Sequence, residues 1–238
     1  MNRLARRETT AVELMDDPAC DPVLLDRTYA QFAAVNRLVS GWRRLYVTRL
    51  RPLLAASSAP TLLDVGFGGG DIPRSLDRWA RRDGLDVAIT AVDPDPRAYD
   101  HVTRADRAGR AGRGGRVEFR RASSSDLVAE GRRYDVVVSN HLLHHLDPAA
   151  LQALLADSER LAGRLALHND LRRSALAHAA YGLVTRPLAP TSFLHDDGLL
   201  SIRRSYVPAE LADVRPGWAV RGLGPFRLLL EHEPEDRS

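Results

Sequence analysis

Three observations predict an α/β fold built on a doubly wound, mostly parallel seven-stranded sheet with an antiparallel edge strand. Near-continuous apolar runs of strand length alternate with helical stretches from residue 61 onward. Runs of that kind suit strands covered on both faces by helices. The first leads into LLDVGFGGGDIP (62–73), where four glycines in five residues separate strand from helix. The last two, WAVRGL (218–223) and FRLLLE (226–231), are joined only by Gly224 and Pro225. So short a link permits a hairpin but not a parallel crossover.

The elements follow in order. Residues 1–20 are polar and irregular, and are expected to form a flexible arm. The remainder, 21–238, reads as a single domain. From Pro22 to about Leu54 the apolar residues keep helical spacing: Leu25, Tyr29, Phe32, Asn36 and Val39 make one face, and Trp42, Leu45, Tyr46, Leu50 and Leu53 continue it. Gly41 divides this into two helices, and SSAP ends it. TLLDV (61–65) is a strand and IPRSLDRWARR (72–82) a helix. VAITAVD (87–93) is the second strand, with a helix from about Arg97. RVEFR (116–120) is the third strand, and YDVVVSN (134–140) the fourth. A helix over about 148–162 precedes the fifth, RLALHND (164–170). The stretch from Leu171 to Arg215 is too long for a simple connection. It is expected to cap the carboxyl ends of the strands, with 21–56 as lid helices on the other side.

With 238 residues and 44% apolar content, the chain can bury one sizeable core but not two full α/β domains. No apolar run approaches the roughly 20 residues of a membrane span. The basic start, MNRLARRETT, is not followed by a long apolar segment, so no secretory signal is expected. Cys20 is alone and cannot make an internal disulfide, which fits a reducing compartment. A cytoplasmic location is the expectation. The sequence leaves room for a homodimer.

The net charge is only +3 and the chain has no lysine, so no lysine base or Schiff base is available. A charge this small does not argue for nucleic acid, which is not the expected partner. Arg104, Arg107, Arg110, Arg113 and Arg116 recur every third residue. A solvated helix end explains them; an RNA or phosphate contact is the alternative. No aromatic residues interleave to stack bases.

The glycine turn excludes two readings. A dinucleotide fingerprint needs glycine or alanine at its sixth position, where this turn has Asp71. A P-loop ends in Gly-Lys, and there is no lysine. What remains is Asp64-x-Gly66-x-Gly68-x-Gly70. Its glycines suit a tight turn with a nucleoside against bare backbone. The acid before it suits a cationic partner.

With these residues in place, DVGFGGG resembles the first motif of class I methyltransferases that use S-adenosylmethionine (SAM). The resemblance implies a Rossmann-like fold, SAM as cofactor and S-adenosylhomocysteine (SAH) as product. It assigns Asp64, Gly66, Gly68 and Gly70 to the cofactor's methionine and ribose parts. Asp93 of VDPDP ends the second strand, where a carboxylate accepts both ribose hydroxyls, with Pro94 beside it. Ser125 and Asp126 of SSSDL match the adenine-contacting position. SNHLLHHLDP is similar to a post-strand motif that adds Asn140 and His141 to the cofactor site. YAQFAAVNRLVSGWRRL (29–45) is similar to the N-terminal helix of the ubiquinone/menaquinone group. Plainer roles compete: strand–helix packing for the glycines, a turn cap for Asp93 and a helix cap for Asp126.

Methyl transfer from a sulfonium needs an aligned nucleophile, and a phenol gains from a base near neutral pKa. Histidine meets that need. Of eight histidines, His141, His144, His145 and His168 sit beside predicted strand ends. His141, His144 and His145 are spaced i, i+3, i+4, which on a helical turn brings them together. Three readings are open: His144 or His145 as catalytic base, packing without chemistry, or a metal holding a catechol-like acceptor. No residue is assigned as a metal ligand. In HNDLRRS (168–174), Asp170 can orient a histidine or an acceptor hydroxyl; Asn169 and Asp170 can equally cap the next helix. The catalytic candidates are therefore His144, His145 and Asp170.

HNDLRRS and DDGLLSIRRSYVPAEL (196–211) are similar to bacterial methyltransferases that tailor phenolic polyketides or quinones. Arg203, Arg204 and Tyr206 are candidates to line the cap. The implied function is O-methylation of a small aromatic, phenolic or quinone-like acceptor in secondary metabolism. The alternatives are C- or N-methylation of a small molecule, an RNA methyltransferase, or a SAM-binding module without turnover. The Pro-Pro-aromatic turn of nucleic-acid amino-methylating enzymes is absent; Asn140-His141-Leu142-Leu143 stands there.

Overall fold

The computed structural model describes residues 4–109, 116–224 and 226–234. Of the residues singled out above, Arg110, Arg113, Pro225 and the side chain of Val39 lie outside that description.

Seven strands form one sheet: β1 (Thr61–Val65), β2 (Ala88–Val92), β3 (Val117–Arg120), β4 (Tyr134–Asn140), β5 (Ala162–Leu171), β6 (Ala219–Gly222) and β7 (Arg227–His232). Their order is β3-β2-β1-β4-β5-β7-β6. The first five are parallel, and β7 runs antiparallel to both β5 and β6. The hairpin thus forms the edge with β7 on its inner side. Burial explains which strand goes inside: Leu228, Leu229 and Leu230 are buried, whereas most of β6 is exposed.

Val136, Val137 and Val138 of β4 are all fully buried, so both faces of the sheet are covered. Alternation sorts the residues between the faces. Leu63, Val137 and Ala166 pack under the helix Pro148–Leu161. Leu62, Val138 and Leu167 pack under the helical run 42–55 and the helix Asp71–Arg82. The helix Pro22–Val39 starts at Pro22, and Asp21 caps it by accepting from the N–H of Val23 at 2.7 Å. Gly41, at φ 72°, separates it from the next helix, as its place in the sequence predicts.

The strand order reverses between β1 and β4, and at such a switch point the carboxyl ends of the strands open a crevice. The helix Pro22–Val39 covers one side of that crevice. The helices Ala175–Thr185 and Leu194–Arg204, between β5 and β6, cover the other.

Residues 4–20 do not hang free of this body. Leu14 and Met15 donate their N–H groups to the two carboxylate oxygens of Asp197, at 2.7 and 2.9 Å. Arg7 donates to the carbonyls of Arg204 and His144 and lies 4.1 Å from the centre of the Tyr206 ring. Glu8 pairs with Arg203 at 2.9 Å. The segment is polar because it bonds to the cap, a partner its own periodicity could not reveal.

Candidate active site

A cavity of about 410 Å³ lies at the switch point, in the size range of small-molecule sites. Its walls are mostly apolar, with Tyr29, Phe32, Phe67, Leu142, Leu171 and Leu194 among them.

One end is the glycine turn. Gly66 and Gly68 have φ of 75° and 50°, a region that costs any residue with a Cβ. The Gly68 N–H donates to Asp93 Oδ2 at 2.9 Å, and the Asp95 N–H donates to Asp93 Oδ1 at 2.9 Å. These bonds fix the Asp93 carboxylate at the end of β2 and leave each oxygen a further lone pair. Pro94 lines the cavity beside it. Gly70 does not line it. A Cβ there would meet Val102 at 2.8 Å, so Gly70 serves helix packing.

Asp64 is the unusual group. It is 1% exposed, it lines the cavity, and its Oδ1 has no hydrogen-bond partner among the described residues. Burial, and then the nearby Asp71 and Asp93, push its carboxyl well above the usual range. Burial also raises Asp71 and Asp93. Asp71, bonded to Asn36 Nδ2 at 3.0 Å, faces the same space. Three acids raised together around one turn define a place for a cation with hydroxyls beside it.

At the end of β4, Asn140 Oδ1 accepts from Trp42 Nε1 at 2.9 Å and from Arg227 Nη2 at 2.8 Å. His141 has φ 56°, an uncommon conformation for a residue with a side chain, and its Nε2 accepts from Arg227 Nη1. Burial and the Arg227 charge hold it well below the usual histidine range. His141 therefore turns toward Arg227. Its ring centre still lies 6.4 Å from that of His144, so the i, i+3, i+4 spacing does bring the rings near one another, although the Leu143–His145 3₁₀ turn begins after His141 and its Nε2 bonds Arg227.

His144 and His145 are together, with ring centres 4.3 Å apart. His144 Nδ1 donates to Asp170 Oδ1 at 2.7 Å, and its backbone N–H to Asp170 Oδ2 at 2.9 Å. His145 Nδ1 donates to Asp16 Oδ2 at 3.0 Å. The Nε2 atoms of both face Glu13, at 3.6 Å to Oε1 for His144 and 3.8 Å to Oε2 for His145. Glu13, His144 and His145 line the cavity; Asp170 lies behind His144. Burial works against charge on Asp170, but the electrostatic attraction of His144 and its hydrogen bond outweigh it and hold the carboxyl well below the usual range. Burial works against charge on His145, but Glu13 and the Asp16 bond outweigh it and raise the imidazole to about 9.

Ser125 and Asp126 are not among the lining residues. Asp126 closes a capping box, accepting from the N–H and hydroxyl of Ser123 at 2.8 Å each, and Ser125 donates to Asp157 at 2.7 Å. Arg203 and Arg204 hold the arm and the histidine turn: Arg204 donates to the carbonyls of His144 and His145. Arg104 and Arg116, of the arginine-rich stretch, pair with Asp26 and Asp86.

His168 belongs to the core. It is fully buried within β5, bonded to Ser139 and Ser158, and stacked on Trp218. Burial pulls it down to about 3. Its folded value lies below the unfolded one, so its contribution is constant above about pH 6.5 and is lost as the unfolded chain takes up a proton below that. Denaturant unfolding is expected to show about 2 kcal/mol of this loss between about pH 7.5 and 5, absent in His168→Asn. Equal pH slopes in both proteins would count against it.

Glu13, Asp16, Asn36, Trp42, Asp71 and Arg227 were not singled out by the sequence as site residues. Only the Glu13–Asp16 spacing, i to i+3, is visible as a signal, and it is a weak one.

Residues 62–163 match the family described as methyltransferase domain. No curated protein matches the sequence. Among solved structures, an O-methyltransferase family protein from Burkholderia thailandensis is 17% identical, with 90% of this chain and 60% of that one covered and a TM-score of 0.58. The plantazolicin methyltransferase BpumL in complex with SAH is 10% identical, with 90% of this chain and 95% of that one covered and a TM-score of 0.59. At these identities the likeness is one of fold, and the chain spans 60% of the length of the Burkholderia protein. Sheet order and structural likeness give the chain a Rossmann-like methyltransferase fold, and the matched methyltransferase-domain segment spans its glycine turn and the first four strands.

Proposed function

We propose that the protein transfers a methyl group from SAM to a hydroxyl oxygen of a small phenolic or quinone-like acceptor. The observation that carries this reading is the buried Asp64 carboxylate, its Oδ1 without a partner among the described residues, in an apolar cavity that His144 also lines. Asp64 and Asp71 suit an ammonium and Asp93 a ribose diol, so the residues fit the cofactor. When bound, SAM supplies a methyl on a positively charged sulfur.

The chain does the rest. Phe67, Leu142 and the cap helices exclude water, and the cavity holds two reactants in line. Asp170 keeps the proton of His144 on Nδ1, which leaves the Nε2 lone pair for the acceptor hydroxyl. A largely apolar cavity favours an aromatic acceptor over RNA, and the carboxylate partners of Arg104 and Arg116 take charge from a nucleic-acid surface.

Calorimetric titration with SAH tests the cofactor. Micromolar binding is expected, weakened about 100-fold in Asp93→Ala, which loses two hydroxyl bonds to a charged group. Incubation with SAM and a panel of phenols, hydroquinones and anilines then reads the acceptor atom. Absence of SAH binding, with these acceptors also present, would sink the proposal.

A further inference from the structure

The arm and the histidine turn meet in an arrangement that hydrogen bonding does not account for. Glu13 is 2% exposed and His144 1%, yet Glu13 Oε1 and His144 Nε2 have no hydrogen-bond partner among the described residues. They face each other at 3.6 Å, too far for a hydrogen bond. Two buried polar atoms left unbonded and aimed at one point need a third group between them.

From this juxtaposition we infer that Glu13, His144 and His145 bind one divalent cation of the zinc type. The inference rests on the methyl-transfer reading of the same cavity and gives the His144 Nε2 lone pair to the metal in place of the acceptor hydroxyl. One atom from each residue lies within 4.8 Å of the others. A tetrahedral site with metal–ligand bonds of about 2.1 Å spaces its ligands about 3.4 Å apart. The separations to Glu13, 3.6 Å from His144 Nε2 to Oε1 and 3.8 Å from His145 Nε2 to Oε2, are each within a few tenths of an ångström of that, one to each carboxylate oxygen.

The surroundings support the assignment independently. Metal-bound histidines donate their second N–H to a carboxylate or carbonyl, which fixes the tautomer and the ring. Both rings do so here, His144 to Asp170 at 2.7 Å and His145 to Asp16 at 3.0 Å. Each therefore turns Nε2 toward the ligand position, and ligation displaces any proton held there. Two imidazoles and one carboxylate select zinc-type ions over magnesium and calcium, which prefer all-oxygen sets. His141 takes no part, because Arg227 holds its Nε2.

Three protein ligands leave a fourth position, and all three residues line the cavity. A phenolic acceptor can fill it, losing its proton to water as its oxygen ligates. That oxygen then forms the new O–CH₃ bond while the C–S bond breaks and its electron pair stays on sulfur. Glu13 comes from the arm, so the site is complete only when the arm lies on the cap. That gives the Asp197 and Arg7 contacts a purpose beyond packing.

The test uses the full chain, stripped with chelator and titrated with zinc, and with cobalt as a visible-absorption probe. One equivalent is expected to bind, with a tetrahedral cobalt spectrum. Glu13→Gln should weaken zinc at least about 100-fold, and Asp16→Asn about 10- to 100-fold. His178→Asn, outside the cavity, should leave zinc affinity unchanged. SAH affinity and thermal midpoint, read on the same samples, show that each variant is folded. No stoichiometric binding, or equal binding in Glu13→Gln, overturns the metal site. Protein that binds SAH and methylates a phenol without zinc overturns it too, and leaves methyl transfer standing. Protein that binds zinc but never SAH does the reverse.

Discussion

Asp64→Asn is expected to weaken SAH binding about 100-fold or more while the free protein becomes no less stable, and more stable near neutral pH. The two effects have one cause. In the free protein the Asp64 carboxylate is buried and its Oδ1 is unpartnered, with Asp71 and Asp93 nearby adding like charge. A carboxyl whose folded pKa lies above its unfolded value of 3.8 resists ionisation in the fold. Its contribution to stability falls as pH rises through 3.8 toward the folded value, because the unfolded chain releases the proton more readily. Asparagine has no proton to release, so the gap between variant and parent should widen with pH over that range. A cationic ligand reverses the situation by pairing with the charge, and the variant loses that pair. Titrations in buffers of different ionisation heat supply a second readout. Ligand binding should release protons from the parent and fewer from the variant. A variant that binds SAH as well as the parent would show that Asp64 only shapes the turn.

The sheet and the glycine turn are legible in the sequence because their signals are local. Apolar runs such as YDVVVSN need both faces covered, and their alternation with helices makes the strands parallel. The glycine turn declares itself through residues with no other reason to cluster. The acceptor end is less legible, since its parts meet only in three dimensions. Glu13 is one acid among several in a polar arm, and its burial depends on Asp197, far along the chain. Arg227 reads as the polar start of a strand. It reaches Asn140 and His141 because β7 sits directly beside β5, where Leu171 pairs with Arg227. His168 reads as a residue at a strand end. Pairing with β7 carries β5 on to Leu171 and places His168 inside. Ser123 and Asp126 carry a capping-box spacing that competes with any adenine contact, and the cap takes both Asp126 oxygen bonds seen in the fold.

The second large effect is expected at Asp170, a positioning residue that acts through His144. Asp170→Asn should lower kcat by about 10²- to 10⁴-fold, with acceptor KM and SAH affinity within a few-fold of the parent. The carboxylate can only accept, so it forces the His144 proton onto Nδ1. An amide can donate, which allows the proton to move to Nε2 and closes the lone pair that faces the cavity. Asp170 also accepts from the backbone of His144 and Leu171, so some local loosening is expected. A general loss of structure would raise acceptor KM and weaken SAH together with kcat, whereas a tautomer change leaves both in place. Excess zinc then separates the two ways in which Nε2 can serve. If the lone pair acts as a ligand, a weakened site refills at high zinc and part of kcat returns. If it acts as a free base, added zinc occupies the only lone pair available and lowers kcat further. The sign of that response decides the chemistry of the acceptor end without requiring the acceptor's identity to be settled first.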